Sequence, residues 1–136
     1  MSHRLTARIG TGIVVAGLTL GALSGGPASA KGGDDGRVER RGACSSGAVW
    51  KLKGKHDDRL LEVELEVDSN RVGQTWNVAI TDNGATVFSG ARRTVAPSGS
   101  FSVERRTIDR AGTDVVRATA TDPATGQRCT GSISIV

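Results

Sequence analysis

The dipeptide Asn83-Gly84, set between two alternating runs, constrains this chain more than any other stretch. In Gln74 to Phe88, QTWNVAITDNGATVF, the residues Trp76, Val78 and Ile80 alternate with Asn77, Ala79 and Thr81. That is the period-two pattern of a strand with one buried face. A two-residue type I′ turn needs positive φ at both central positions, and Asn followed by Gly adopts them at low cost. The stretch therefore reads as a β-hairpin. Its expected register puts Ile80 opposite Val87 on the inner face and Ala79 opposite Phe88 on the outer one.

Ahead of this hairpin, Met1 to Ala30 carries Arg4 and Arg8, then an apolar run from Ile13 to Leu23, and ends in Ala28-Ser29-Ala30. A basic start, a short apolar middle and an A-x-A ending make a secretory signal peptide, expected to be cleaved after Ala30. The apolar run is too short and too rich in Gly for a membrane anchor, which needs about 20 apolar residues. No cysteine stands at the cleavage point, so a lipid anchor is not expected either. The mature chain is read as secreted, with no membrane span.

Removing Arg4 and Arg8 from the 18 Lys+Arg leaves 16 against 14 Asp+Glu, so the mature charge is +2 and not the precursor's +4. With two Trp, two Phe and no Tyr, the chain lacks the basic face with interleaved aromatics that nucleic-acid binding calls for. Nucleic acid is not an expected partner. Arg outnumbers Lys 14 to 4, and Ala, Gly, Thr and Val are abundant, which reads as a GC-rich coding bias of actinomycete type.

Residues 31–42, KGGDDGRVERRG, hold one apolar residue, Val38, and are expected to form a flexible N-terminal tail. Asp34-Asp35 is not read as a calcium site, since calcium takes six to eight oxygens in a defined loop. Residues 43–136 are enough for one domain with one core. Cys44 and Cys129 are the only cysteines and, in an oxidising compartment, are expected to form a structural disulfide. Closing a loop of roughly 86 residues stabilises the fold by about 4 to 5 kcal/mol on the loop-entropy model. One histidine, His56, remains in the mature chain, so no metal or other cofactor is expected.

A second hairpin is legible in side-chain matching. Trp50 and Leu52 alternate with Lys51 and Lys53, and Leu61, Val63, Leu65 and Val67 alternate with Glu62, Glu64 and Glu66. The expected register faces Trp50 with Leu65, Leu52 with Val63, Lys53 with Glu62 and Lys51 with Glu64, around a loop His56-Asp57-Asp58-Arg59. The glutamates are then the wet face of a strand paired with lysines. Further on, Ala91 to Ala96 and Ser100 to Ile108 flank a turn at Pro97-Ser98-Gly99, with Phe101 and Val103 facing inward. Arg92-Arg93 and Arg105-Arg106 approach each other across that turn, though no more than about half of the four can share a surface. In the last hairpin Val116 faces Ile133, Ala118 faces Gly131 and Ala120 faces Cys129. Those small residues leave room for something large, and the two tryptophans are the candidates.

Short alternating strands with turns every ten or so residues, a Trp on a middle strand and the strand TDVVRATAT before a final hairpin resemble an immunoglobulin or fibronectin type III sandwich. The resemblance runs from Cys44 to Val136. It implies an all-β domain, a single antiparallel immunoglobulin-like β-sandwich of approximately seven strands closed by one disulfide. It departs from antibody domains in placing the cysteines at the first and last strands and in having no tyrosine. If those two strands run parallel, both cysteines fall at one end and the bridge is allowed. As a whole the chain is similar to short exported proteins of actinomycetes that carry no assigned activity.

No G-x-S-x-G elbow, H-E-x-x-H or phosphate-cradling loop with Lys is present, and His56 beside Asp57 and Asp58 falls in an expected turn. Catalysis is not expected. The leading expectation is a monomeric, non-catalytic extracellular module that binds a protein, a wall polymer or a small molecule through loops or a sheet face. Phe88 on the outer face, the Arg92 and Arg93 region and the loop Ser69 to Gly73 are its candidate contacts, with a core position as the competing expectation for Phe88. The alternatives are an exported protease inhibitor presenting Asp122 to Gln127, or a small-ligand carrier with a cleft between sheets.

Overall fold

The computed structural model describes residues 31–32 along the backbone and residues 36–136 in full; the expected signal peptide and Asp34-Asp35 lie outside the described residues. The strands are β1 (Lys31–Gly32), β2 (Val38–Ala43), β3 (Val49–Asp57), β4 (Leu60–Asp68), β5 (Thr75–Asp82), β6 (Ala85–Arg93), β7 (Ser100–Ile108), β8 (Asp114–Thr121) and β9 (Arg128–Ile135). No helix occurs among the described residues. Two antiparallel sheets, ordered β1-β2-β3-β4-β7 and β6-β5-β8-β9, pack face to face. The all-β two-sheet architecture is the expected one, with eight full strands and the two-residue β1 in place of approximately seven.

Part of the expected tail is structured: Val38–Ala43 forms β2 and pairs with β3 along its whole length. Its apolar alternation is invisible because its inward positions are Val38, Arg40 and Gly42. Arg40 Nη1 reaches across the sandwich and donates to the Ser132 carbonyl at 3.2 Å. Gly42 is small because the Trp50 indole fills the space above it; a Cβ there would stand 2.6 Å from the ring.

The β3–β4 hairpin keeps both expected faces but is shifted by two residues. Trp50 faces Val67 and Leu52 faces Leu65, while Lys51 faces Glu66 and Lys53 faces Glu64. The turn is the two-residue Asp58-Arg59, with Asp58 at φ 57°, so the strands extend further than a four-residue loop would let them. A shift of two preserves which residues are buried, and the charge matching survives as well. Lys51 Nζ lies 3.5 Å from Glu66 and Lys53 Nζ 3.6 Å from Glu64, half-exposed pairs that contribute a few tenths of a kcal/mol each.

Asn83 and Gly84 form the expected turn, at φ 48° and 84°, between Asp82 and Ala85. The expected register beyond it is corrected by a β-bulge. Thr81 pairs with Thr86 and Ile80 with Phe88, leaving Val87 without a partner. The extra residue turns Phe88 from the outer face to the inner one. The last hairpin has the expected register, Val116 with Ile133, Ala118 with Gly131 and Ala120 with Cys129. Between β6 and β7 only the bridge Val95 to Ser100 forms, and the turn at 97–99 carries the chain from one sheet to the other.

Trp50 and Trp76 both lie in the core, Trp76 beside Phe101 with ring centroids 6.2 Å apart. The room left by small residues is taken by Trp50, whose ring would stand 2.6 Å from a Cβ at Gly131. Gly54 similarly lies beneath Ile133 and Ile135, so β3 and β9 run in the same direction on facing sheets. Cys44, in the β2–β3 connection, and Cys129, on β9, consequently fall at one end and are bridged across 85 residues. Ser45 N donates to the Arg128 carbonyl, and Ala48 N to the buried Gln127 side chain at 2.7 Å, closing that end.

Replacing Gly131 with Ala should destabilise the fold by about 1 to 3 kcal/mol, because the added Cβ would stand 2.6 Å from the Trp50 ring and force the ring or the backbone to shift. Urea unfolding of G131A measures this; an unchanged midpoint would mean the indole does not sit over that backbone.

Candidate functional site

Three features stand out from the sheets. The first is the open side between β6 and β7, the edge strands of the two sheets. Inward positions there are Phe88, Gly90 and Arg92 on β6, and Phe101, Val103 and Arg105 on β7. Phe88 is 9% exposed and belongs to the core, which corrects its expected outward placement. Arg92 and Arg105 converge on it from the two strands, their guanidinium carbons 4.5 and 4.7 Å from the ring centroid. Such stacking holds the charge by its attraction to the ring while the aliphatic stems cover apolar surface.

Of the four expected arginines the fold thus brings together two. Arg93 points instead toward Gly73, and Arg106 approaches Asp57 and Glu62 at 3.7 and 3.4 Å. Among the described residues no carboxylate pairs with Arg92 or Arg105; each donates only to a backbone carbonyl nearby, of Ala91 and Glu104. The loop Ser69–Gly73 is tied down beside this edge. Ser69 N donates to the Gly99 carbonyl, and the buried Thr94 hydroxyl donates to the Arg71 carbonyl while accepting from Gln74 N.

The second feature is the β8–β9 connection, Asp122 to Gln127. Asp122 is buried, and its carboxylate accepts from Ala124 N and the Thr125 hydroxyl, both at 2.9 Å. Its partners account for the buried charge, and only 123–126 is exposed.

The third feature was not legible as a site. At the opposite end from the disulfide, His56 near the end of β3, Asp109 just after β7, Asp114 at the start of β8 and Asp82 at the end of β5 come together. The Asp57 and Asp58 beside His56 in sequence are not its partners. His56 Nδ1 lies 2.9 Å from Asp109 Oδ2, and Nε2 lies 3.9 Å from Asp114 Oδ2. His56 lies on strand β3 paired with Leu61, and not in the turn expected for it. Asp114 is fully buried, and burial first, then the neighbouring Asp82 and Asp109, pushes its carboxyl up to about 6. A signal did exist for two of these residues. Asp82 continues the inward series Trp76, Val78, Ile80, and Asp114 begins the inward series Val116, Ala118, Ala120.

Compared with protein-family models, with curated proteins and with solved structures, the chain matches none. What it can do rests on these sites alone.

Phe88→Ser should cost about 3 kcal/mol or more, since it empties a ring-sized space at the sandwich edge and introduces a hydroxyl. Chemical denaturation of F88S tests this; a loss under 1 kcal/mol would return Phe88 to the surface.

Proposed function

We propose that this chain is a secreted, non-catalytic, immunoglobulin-like module that binds an acidic, extended protein segment along the open β6–β7 side. The strand order supports the immunoglobulin-like reading: β3-β4-β7 against β9-β8-β5-β6 follows the A-B-E and G-F-C-C′ pattern, with β2 added outside the first strand. The basic and apolar start of the chain and its single disulfide support export.

The observation that carries the binding reading is the pair of guanidiniums stacked on Phe88. A guanidinium is a planar fork of donors that suits carboxylates, and stacking fixes it before a ligand arrives, which lowers the ordering cost of binding. Both strands here are sheet edges, so backbone groups of β6 are open to an added strand. The bulge at Val87 confines such an addition to the part of β6 beyond it, where Ser89, Gly90 and Ala91 are exposed.

A fluorescent oligoglutamate peptide at low ionic strength should bind the parent protein with a steep salt dependence. Arg92→Ala with Arg105→Ala should weaken binding by roughly 100-fold, about 1.4 kcal/mol per guanidinium, while Arg117→Ala on the other face should leave it unchanged. Equal binding by all three proteins would end the proposal.

A further inference from the structure

The carboxylate and imidazole cluster at the end opposite the disulfide has a property that ordinary surface clusters lack. Asp114 has no exposed surface, and neither of its carboxylate oxygens has a hydrogen-bond partner among the described residues. Asp82, 3% exposed, leaves its Oδ1 unpartnered as well. A buried charge without partners costs several kcal/mol, and folds otherwise satisfy such groups. Other buried charged or amide side chains are better served, Asp122 by two donors and Gln127 by the Ala48 N–H, and the unpartnered buried atoms outside the cluster, Gln74 Oε1 and Trp76 Nε1, are neutral.

The groups facing Asp114 make matters worse if nothing else binds. Asp82 and Asp109 bring like charge, and His56 offers no aligned hydrogen bond to either partner despite the 2.9 Å approach of Nδ1 to Asp109. Ligand atoms of His56, Asp109 and Asp114 all lie within 4.8 Å of one another. They come from three separate strand ends, so the sandwich itself holds them in place. Converging carboxylates of this kind are relieved either by a proton shared between them or by a bound metal ion, and the imidazole that approaches two of them offers the nitrogen a metal would use.

We infer that His56, Asp109 and Asp114 form a binding site for a divalent transition-metal ion of the zinc type, with Asp82 lining it as a further carboxylate. The donor set selects the ion. An imidazole nitrogen favours zinc and its neighbours over calcium or magnesium, which prefer oxygen alone. Three carboxylates around one imidazole more than offset two positive charges, so the ion removes the repulsion that the apo cluster carries. The role is structural: it links the ends of β3 and β8 and the segment after β7, at the end of the sandwich that has no disulfide. The site is independent of the β6–β7 side and stands or falls separately from it.

The test uses the oxidised protein stripped with EDTA, titrated with zinc chloride by calorimetry and by thermal unfolding. One ion per chain and a rise of several degrees in the unfolding midpoint are expected, with calcium giving a much smaller rise. His56→Ala and Asp114→Asn should each weaken uptake by roughly 100-fold or more. Asp114→Asn also removes the buried charge, so without metal it should unfold at or above the parent's midpoint, which separates loss of a ligand from loss of the fold. The inference is overturned if the folded, stripped parent takes up no zinc at micromolar concentration, if Asp114→Asn takes it up as the parent does, or if calcium stabilises and zinc does not.

Discussion

The Trp50 indole, held between the backbones of Gly42 and Gly131, is the contact on which the rest of the sandwich depends. It is the largest side chain on β3, and it fixes how β2 and β3 sit over β9. Because both neighbours are glycine, the ring lies directly on main chain, and neither sheet can slide without striking it. The parallel run of β3 and β9 that follows brings Cys44 and Cys129 to within a Cα separation of 4.3 Å. The bridge is thus a consequence of the aromatic packing, and it adds the removal of a long loop's entropy to a geometry already set.

Away from Trp50 the three remaining regions are closed by different means. In the middle, Trp76 and Phe101 join the sheets through ordinary apolar packing. At the β6–β7 side no backbone pairing connects the sheets beyond a single bridge, and Phe88 with its two arginines covers the gap. At the end remote from the disulfide, the strand ends carry Asp82, Asp114 and His56 where apolar residues would give a simpler core. Charged residues at core positions weaken a fold unless something compensates them, so their presence there is the strongest departure from plain sandwich design.

How much of this was legible follows from what kind of interaction sets each feature. Inside and outside faces follow from alternation, and on β3, β4, β5, β7, β8 and β9 the buried residues are the ones the alternation points inward. Registers came from turns, and turns differ in how much they announce. Asn83-Gly84 announces itself, whereas Asp58-Arg59 does not look like a two-residue turn until Asp58 is seen at φ 57°. The bulge at Val87 has no local signature at all, and it alone moved Phe88 inward. Strand β2 is not visible in the alternation because two of its inward positions are a glycine shaped by a distant Trp and an exposed arginine that bonds to the Ser132 carbonyl of the other sheet. The sequence brings Arg92-Arg93 and Arg105-Arg106 near each other, but neither which two share a surface nor the ring that unites Arg92 with Arg105 is visible in it. Of the carboxylate cluster, the inward phase of Asp82 and Asp114 was present in the alternation; their meeting with His56 depends on three strand ends, which only the assembled sheets define.

The facing of β3 on β9 has a bearing on the order in which the chain can fold. Strands β2, β3 and β4 are complete by Asp68, and their inner face then presents Trp50, Leu52, Leu61, Val63, Leu65 and Val67 with nothing to cover it. The surface that covers Trp50 is made last, at Gly131, and the thiol awaited by Cys44 comes two residues before it. A chain emerging from its amino end must therefore keep an apolar half-sandwich open through the synthesis of β5 to β8. Contacts between such distant segments form slowly, so of the two faces of that half only the outer one, with the ladder of Lys51, Lys53, Glu64 and Glu66, is suited to water before β9 arrives.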